Sequence, residues 1–283
     1  MPIYKPTELR KFLDDLGIRP RKGLSQNFLI DGNIIRKIAA TAHVGQEDLI
    51  LEVGSGPGSL TEELLNSGAH LIAVELDPLL GNALQRLQTS PPRLFIKCID
   101  ILDLPLEETL SPFLKQGQKA KLIANLPYHL TTPILAKFLP RRDLFSSITV
   151  MIQEEVARRL TGEPGSDHYG SFTVFVNFYS TPRYAFTVSR HCFYPVPKVD
   201  SAIIQLTLKE PPAIDDIDRF FRLTRSAFNQ RRKMVKVSLK ELYGSENVTA
   251  ALIAIGKDPC VRPEMLSLDD FTQLYHRLQA TSS

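Results

Sequence analysis

One short stretch limits the folds open to this chain more than any other. The apolar run Leu49–Val53 meets Gly54-Ser55-Gly56-Pro57-Gly58-Ser59, and helical periodicity follows over Leu60–Asn66, stopped at Gly68. A strand, a glycine turn and a helix in that order open a βαβ unit. The rhythm continues. Leu71–Leu76, Leu94–Cys98, Lys121–Ala124 and Ile148–Gln153 read as strands; Leu79–Leu87, Thr132–Leu139 and Glu154–Leu160 read as helices. Such alternation predicts a parallel sheet with helices on both faces. Two helices are expected ahead of it, Thr7–Leu16 and Gly32–His43, the second with Asp31 as N-cap.

The pattern changes after Thr161. Ser171–Tyr179 and Ala202–Leu208, rich in β-branched and aromatic residues, are expected to be an antiparallel pair at one sheet edge. Phe172, Phe175 and Phe178 are then core residues of the edge strand. Pro211-Pro212 marks a linker, and Phe220–Leu242, Val248–Ile255 and Leu268–Leu278 read as helices. The expected domains are therefore 1–210, α/β with a helical extension, and 211–283, helical.

At 283 residues, 43% hydrophobic and 23% charged, the chain can bury a core. No run approaches the roughly 18 apolar residues of a membrane span. Met1–Arg10 lacks an apolar signal region, and Cys98, Cys192 and Cys260 are too scattered for a disulfide framework or a zinc site. A cytoplasmic protein without membrane or metal is expected, with monomer as the default state. The net charge is only +3, but Arg219–Lys240 holds eight basic residues and no acidic ones. Such a stripe suits a polyanion or a solvated helix face.

The glycine turn excludes some ligands. A dinucleotide fingerprint needs a third glycine where this chain has Ser59, and Pro57 removes a backbone N–H from any phosphate cradle. No Lys-Ser/Thr pair follows, so this is not a Walker loop. The turn suits close approach to a nucleoside. Glu75 and Asp100 follow the next two strands, where one acid can take ribose hydroxyls and the other an adenine amino group.

Lys121–Ala124 ends in Asn125-Leu126-Pro127-Tyr128. This corner suits methylation of an exocyclic amine, whose lone pair is delocalised into the ring. Two acceptors, the Asn125 amide oxygen and the Leu126 carbonyl, would draw N6 of adenine toward tetrahedral geometry and stabilise its developing charge. Tyr128 could stack on the base.

These residues carry a resemblance. The chain resembles the KsgA-type rRNA adenine N6,N6-dimethyltransferases through Gln26-Asn27-Phe28-Leu29, Glu52–Gly58, Glu75-Leu76-Asp77, Asp100, Asn125–Tyr128, Phe193–Ser201, Arg225–Phe228 and Arg231-Arg232-Lys233. Phe193-Tyr194-Pro195-Val196-Pro197-Lys198-Val199-Asp200-Ser201 is the most specific of these. The resemblance implies a Rossmann-like class I methyltransferase sheet, mostly parallel with an antiparallel edge strand, plus a small α-helical C-terminal domain. It implies S-adenosylmethionine as methyl donor, with Asn27 and Leu29 near its methionine end, Gly54 under the nucleoside, Glu75 on the ribose, Asp100 on the adenine, and Asn125 facing donor and target. Phe193 would be the second wall of the base pocket, opposite Tyr128.

The implied reaction dimethylates two adjacent adenines in the 3′-terminal hairpin loop of small-subunit rRNA, in an immature particle. Arg21, Lys22, Arg222, Arg225, Arg231, Arg232 and Lys233 would bind its phosphates. Two alternatives are an Erm-type enzyme acting on large-subunit rRNA and a non-catalytic assembly factor. After Tyr128 the family usually has Asn, whereas this chain has His129, read here as a surface or supporting histidine.

Overall fold

The computed structural model describes residues 3–20, 26–230 and 232–280. Its strands are β1 (Phe28–Leu29), β2 (Leu49–Val53), β3 (His70–Val74), β4 (Leu94–Lys97), β5 (Ala120–Asn125), β6 (Phe145–Gln153), β7 (Ser180–Val188), β8 (Phe193–Tyr194) and β9 (Ser201–Leu208). Two compact units emerge. One holds residues up to Ala157 together with Arg183–Leu208; the other holds Arg158–Pro182 and the chain from Lys209 onward.

The first unit carries a seven-stranded sheet in the order β4-β3-β2-β5-β6-β9-β7. β2 pairs in parallel with both β3 and β5, and every residue of β2 is buried. A strand covered on both faces and both edges reads as an unbroken apolar run, which is why Leu49–Val53 was legible. The order reverses between β2 and β5. Open α/β sheets bind ligands beyond the strand C-termini at such a switch point. The register brings Val53 beside Val74 and Ala124, and Val74 beside Lys97. Gly54, Glu75, Asp100 and Asn125 therefore leave neighbouring strands at one end of the sheet. β9 runs antiparallel to β6, pairing Ile203 with Met151.

The helix Gly32–Thr41 is capped as its sequence predicts: the Asp31 carboxylate accepts from the N–H groups of Asn33 and Ile34 at 2.8 and 3.2 Å. A two-stranded ribbon, β1 with β8, pairs Phe28 with Tyr194 and Leu29 with Phe193. No sequence pattern announces this pairing of distant dipeptides.

Ser171–Tyr179 is an α-helix, not the expected edge strand. Thr173, Val174, Val176, Phe178 and Tyr179 are buried, so the segment is apolar around most of its circumference and shows no amphipathic period. Thr173 Oγ1 accepts from the Gly170 N–H at 3.0 Å and donates to the Arg159 carbonyl at 2.6 Å, tying the helix start to the preceding chain. The sheet edge is β7 instead.

The same helix moves the domain boundary. Phe175 and Phe178 pack against Phe221 at ring-centroid distances of 5.0 Å each. Arg158–Pro182 thus joins the C-terminal helices rather than the sheet unit, in place of the expected split at 210/211.

The expected helix Phe220–Leu242 is also broken. Ile217–Phe228 is helical, and two short helices, Val235–Ser238 and Lys240–Tyr243, follow. The Val235 N–H donates to the Val261 carbonyl at 2.9 Å, a bond that a continuous helix would not leave open. Among the described residues, no helix is long and apolar enough to cross a membrane.

Candidate active site

A cleft opens where the sheet order reverses. Asn27, Gly54, Glu75, Asp100, Asn125, Leu126 and Tyr128 all line it, so most sequence-predicted residues converge. A smaller adjoining cavity shares Gly54 and Asn125 and adds Leu29, Glu52, Ser55 and Ser59.

The turn forms one wall because its backbone is left-handed. Gly54 has φ +71°, and a Cβ there would lie 3.4 Å from the Asn125 carbonyl oxygen. Gly56 has φ +54°, and a Cβ there would press to 3.2 Å on the Phe28 ring. Only glycine leaves this wall open without strain.

Glu75 locks the turn to the next strand. Its Oε2 accepts from the Gly56 N–H at 2.7 Å and its Oε1 from the Asp77 N–H at 2.9 Å. Each oxygen retains a second lone pair for a ligand. Burial raises the carboxyl above its ordinary pKa, against the pull of those N–H groups. Below it lies Glu52, 1% exposed, which accepts from the Thr61 hydroxyl at 2.7 Å. Burial lifts Glu52 to about 7; the Thr61 and Ser55 hydroxyls oppose the shift and the charge of Glu75 reinforces it.

Asp100 begins the turn after β4. Its Oδ1 accepts from the Leu102 N–H at 2.9 Å, and its carbonyl accepts from the Asp103 N–H at 3.0 Å.

The Asn125–Tyr128 corner is fixed at three points. Asn125 Nδ2 donates to the Asn27 carbonyl at 3.2 Å, which commits the nitrogen end of the amide and orients the oxygen end. The Leu126 N–H donates to the Met151 carbonyl at 3.1 Å. The Tyr128 hydroxyl sits 2.7 Å from Ser201 Oγ, and burial raises its pKa. Neither the Asn27 contact nor Ser201 was marked as functional by the sequence, because both partners arrive from remote segments. His129 is exposed at the cleft wall.

Phe193 does not join them. It is 1% exposed and packs in the core with Leu29, Ile35 and Ile203. Its position opposite Leu29 in the β1–β8 ribbon turns it inward, so it lines neither cavity.

In the second unit, Arg222 and Arg225 are exposed on the helix Ile217–Phe228, with Arg219 one turn before. Their i, i+3, i+6 spacing forms a basic stripe opposite buried Phe220, Leu223 and Ala227. Arg232 and Lys233 are also exposed. Arg21, Lys22 and Arg231 lie outside the described residues. Among the described residues, no three His, Cys, Asp or Glu side chains could together hold a metal ion.

Residues 17–280 match the family described as ribosomal RNA adenine dimethylase. The chain belongs to the ribosomal RNA adenine dimethylase family. It is 60% identical over 281 residues to the "Ribosomal RNA small subunit methyltransferase A" of Protochlamydia amoebophila, covering 99% of both chains. It is 45% identical over 285 residues to the protein of the same name in Chlamydia caviae, covering both completely. Among solved structures, a dimethyladenosine transferase from Plasmodium falciparum superposes with TM-score 0.74 at 23% identity, over 90% of this chain and 98% of that one. The 23S rRNA methyltransferase ErmE superposes with TM-score 0.70 at 26% identity, over 89% and 100%.

The dimethylase uses S-adenosylmethionine as methyl donor. Its cleft fits that molecule. A Cβ at Gly54 or Gly56 would crowd the cleft lining, two carboxylates stand at adjacent strand ends, and a second cavity shares lining residues with the cleft.

Proposed function

We propose that this dimethylase modifies two adjacent adenines in the 3′-terminal hairpin loop of small-subunit rRNA, acting as a cytoplasmic monomer on an immature particle. The full-length similarity to two proteins named for the small subunit carries the substrate assignment. The ErmE likeness supports a shared fold and leaves the substrate to those nearer relatives.

In this reading Asn27 and Leu29 meet the methionine end of the donor, Gly54 lies under the nucleoside, Glu75 holds the ribose and Asp100 the adenine amino group. S-adenosylmethionine, when bound, supplies an activated methyl group on a sulfonium. The protein's task is to present the acceptor. The target base must first be splayed from its loop, because N6 inside a helix is out of reach. Tyr128 stacks on it, a contact worth about 1–3 kcal/mol. Asn125 Oδ1 and the Leu126 carbonyl accept the two N6–H bonds, exposing the nitrogen lone pair. The same dipoles stabilise the positive charge that grows on nitrogen. No strong base is needed before transfer. After the first methyl transfer the positively charged N6 releases one proton to solvent, keeps one N–H and engages one acceptor. Arg222, Arg225, Arg232 and Lys233 neutralise RNA phosphates.

The test offers labelled S-adenosylmethionine with small subunits, large subunits or duplex DNA. Label recovered as N6,N6-dimethyladenosine from small-subunit rRNA supports the reading. Label in large-subunit rRNA alone overturns it in favour of the Erm type, and particle binding without label favours an assembly factor.

A further inference from the structure

The turn that carries Asp100 is also held from a remote helix. Lys137, on the helix Thr131–Phe138, donates from Nζ to the carbonyls of Ile101, Leu102 and Leu104 at 3.0, 2.6 and 3.0 Å. An ammonium has three N–H donors, and here each has its own acceptor. The three carbonyls belong to the turn whose N–H groups at Leu102 and Asp103 bond back to Asp100. Asp100 thus engages N–H groups and Lys137 carbonyls of one short segment.

The helix bearing Lys137 continues directly from a second segment that lines the cleft. Asn125-Leu126-Pro127 runs into the turn Tyr128–Leu130, and Thr131 Oγ1 donates to the Tyr128 carbonyl at 3.1 Å. Lys137 thus joins the Asp100 wall to the Asn125–Tyr128 wall, and both line the same cleft.

We propose that Lys137 is a positioning residue that sets the separation of these two walls and places Asp100 for the adenine ring of the methyl donor. The proposal rests on the reading of Asp100 as the adenine contact. Lys137 touches neither donor nor RNA in this account; it acts through the turn. Arginine cannot replace it fully, because a planar guanidinium fork does not converge on three carbonyls gathered around one nitrogen. The neighbouring charges of Asp100 and Asp103 favour the ammonium, while partial burial lowers its pKa.

The experiment measures binding of S-adenosylmethionine and of S-inosylhomocysteine, together with steady-state methyl transfer, for wild type, Lys137→Met, Lys137→Arg, Asp100→Asn and the double variant Asp100→Asn/Lys137→Met. Lys137→Met is expected to weaken S-adenosylmethionine binding about tenfold, with KM for the donor rising and kcat changing little. Lys137→Arg should fall between, which keeps the test open if the methionine variant does not fold. Discrimination against the inosyl ligand should shrink in both, an effect that lost fold stability alone would not produce. In the Asp100→Asn background the Lys137 effect should largely vanish. If Asp100→Asn weakens binding while folded Lys137 variants bind with wild-type affinity and discrimination, the clamp proposal is overturned. If Asp100→Asn itself changes nothing, the reading of Asp100 fails instead.

Discussion

Asn125 Nδ2 lies 3.2 Å from the carbonyl oxygen of Asn27, a residue 98 positions earlier in the chain. A primary amide can present either end to a ligand. Committing the nitrogen to the Asn27 carbonyl leaves the oxygen end of the amide as the acceptor that the proposed presentation of the target amine requires. The bond also joins the segment before β1 to the end of β5, two segments that line the same cleft, so the proposed donor contact at Asn27 and the proposed acceptor at Asn125 would share one strut.

Glu75 supports the glycine turn as well as facing the cleft. Glu75→Gln replaces one acceptor oxygen by a donor, which opposes the N–H of Gly56 or Asp77. The expected outcome is a loss of about 1–3 kcal/mol in stability and weaker donor binding. Urea unfolding and calorimetry on the same sample check both. Stability and affinity equal to wild type would show that the carboxylate is not needed for either.

Ser201 is fully buried and holds the Tyr128 hydroxyl at 2.7 Å. Ser201→Ala and Tyr128→Phe each remove that anchor while keeping a ring to stack. Each should raise KM for rRNA several-fold, and the double variant should be no worse than the singles, because both delete one interaction. Additive effects would mean that the two hydroxyls act separately.

Burial pushes the Glu52 carboxyl up to about 7, well above its ordinary 4.5. A carboxyl raised in the folded state stays protonated there while the unfolded chain ionises. Its contribution to stability is complete below pH 4.5 and is lost as pH rises through 7. The span corresponds to about 3 kcal/mol. Glu52→Gln should therefore flatten the fall in stability between pH 5 and pH 8, measured by urea unfolding. A decline as steep as that of wild type would remove Glu52 as its cause.

The basic stripe predicts a salt-dependent grip on RNA. Replacing Arg222 or Arg225 by Gln should weaken binding and reduce the slope of log affinity against log salt by about 0.7–1 per residue. Affinity titrations at several salt concentrations test this. A slope unchanged by either substitution would mean that the stripe is only a solvated helix face.

Legibility followed burial and distance. β2 and its neighbours were readable because covered strands show as apolar runs, and the glycine turn and the acids at their ends could be placed from order alone. Ser171–Tyr179 was misread because a helix buried around most of its circumference loses the period that marks a helix. Among the aromatic residues that suggested a strand, Phe178 packs instead against Phe220 and Phe221, and Phe175 against Phe221. Phe193 was assigned to the base pocket from its motif. Its inward direction depends on pairing with Leu29, which is separated from it by most of the sheet unit. The struts from Asn27 to Asn125 and from Ser201 to Tyr128 were invisible for the same reason: nothing in a local window links their partners.

The most direct test of the account is single-turnover methyl transfer to small subunits that lack the modification, comparing wild type with Asn125→Ala. Donor and particle binding are measured on the same preparations. The account predicts N6,N6-dimethyladenosine from wild type and a rate at least about 100-fold lower for the variant, with particle binding retained. A variant that transfers methyl at the wild-type rate would contradict the claim that the oriented Asn125 amide presents the amine.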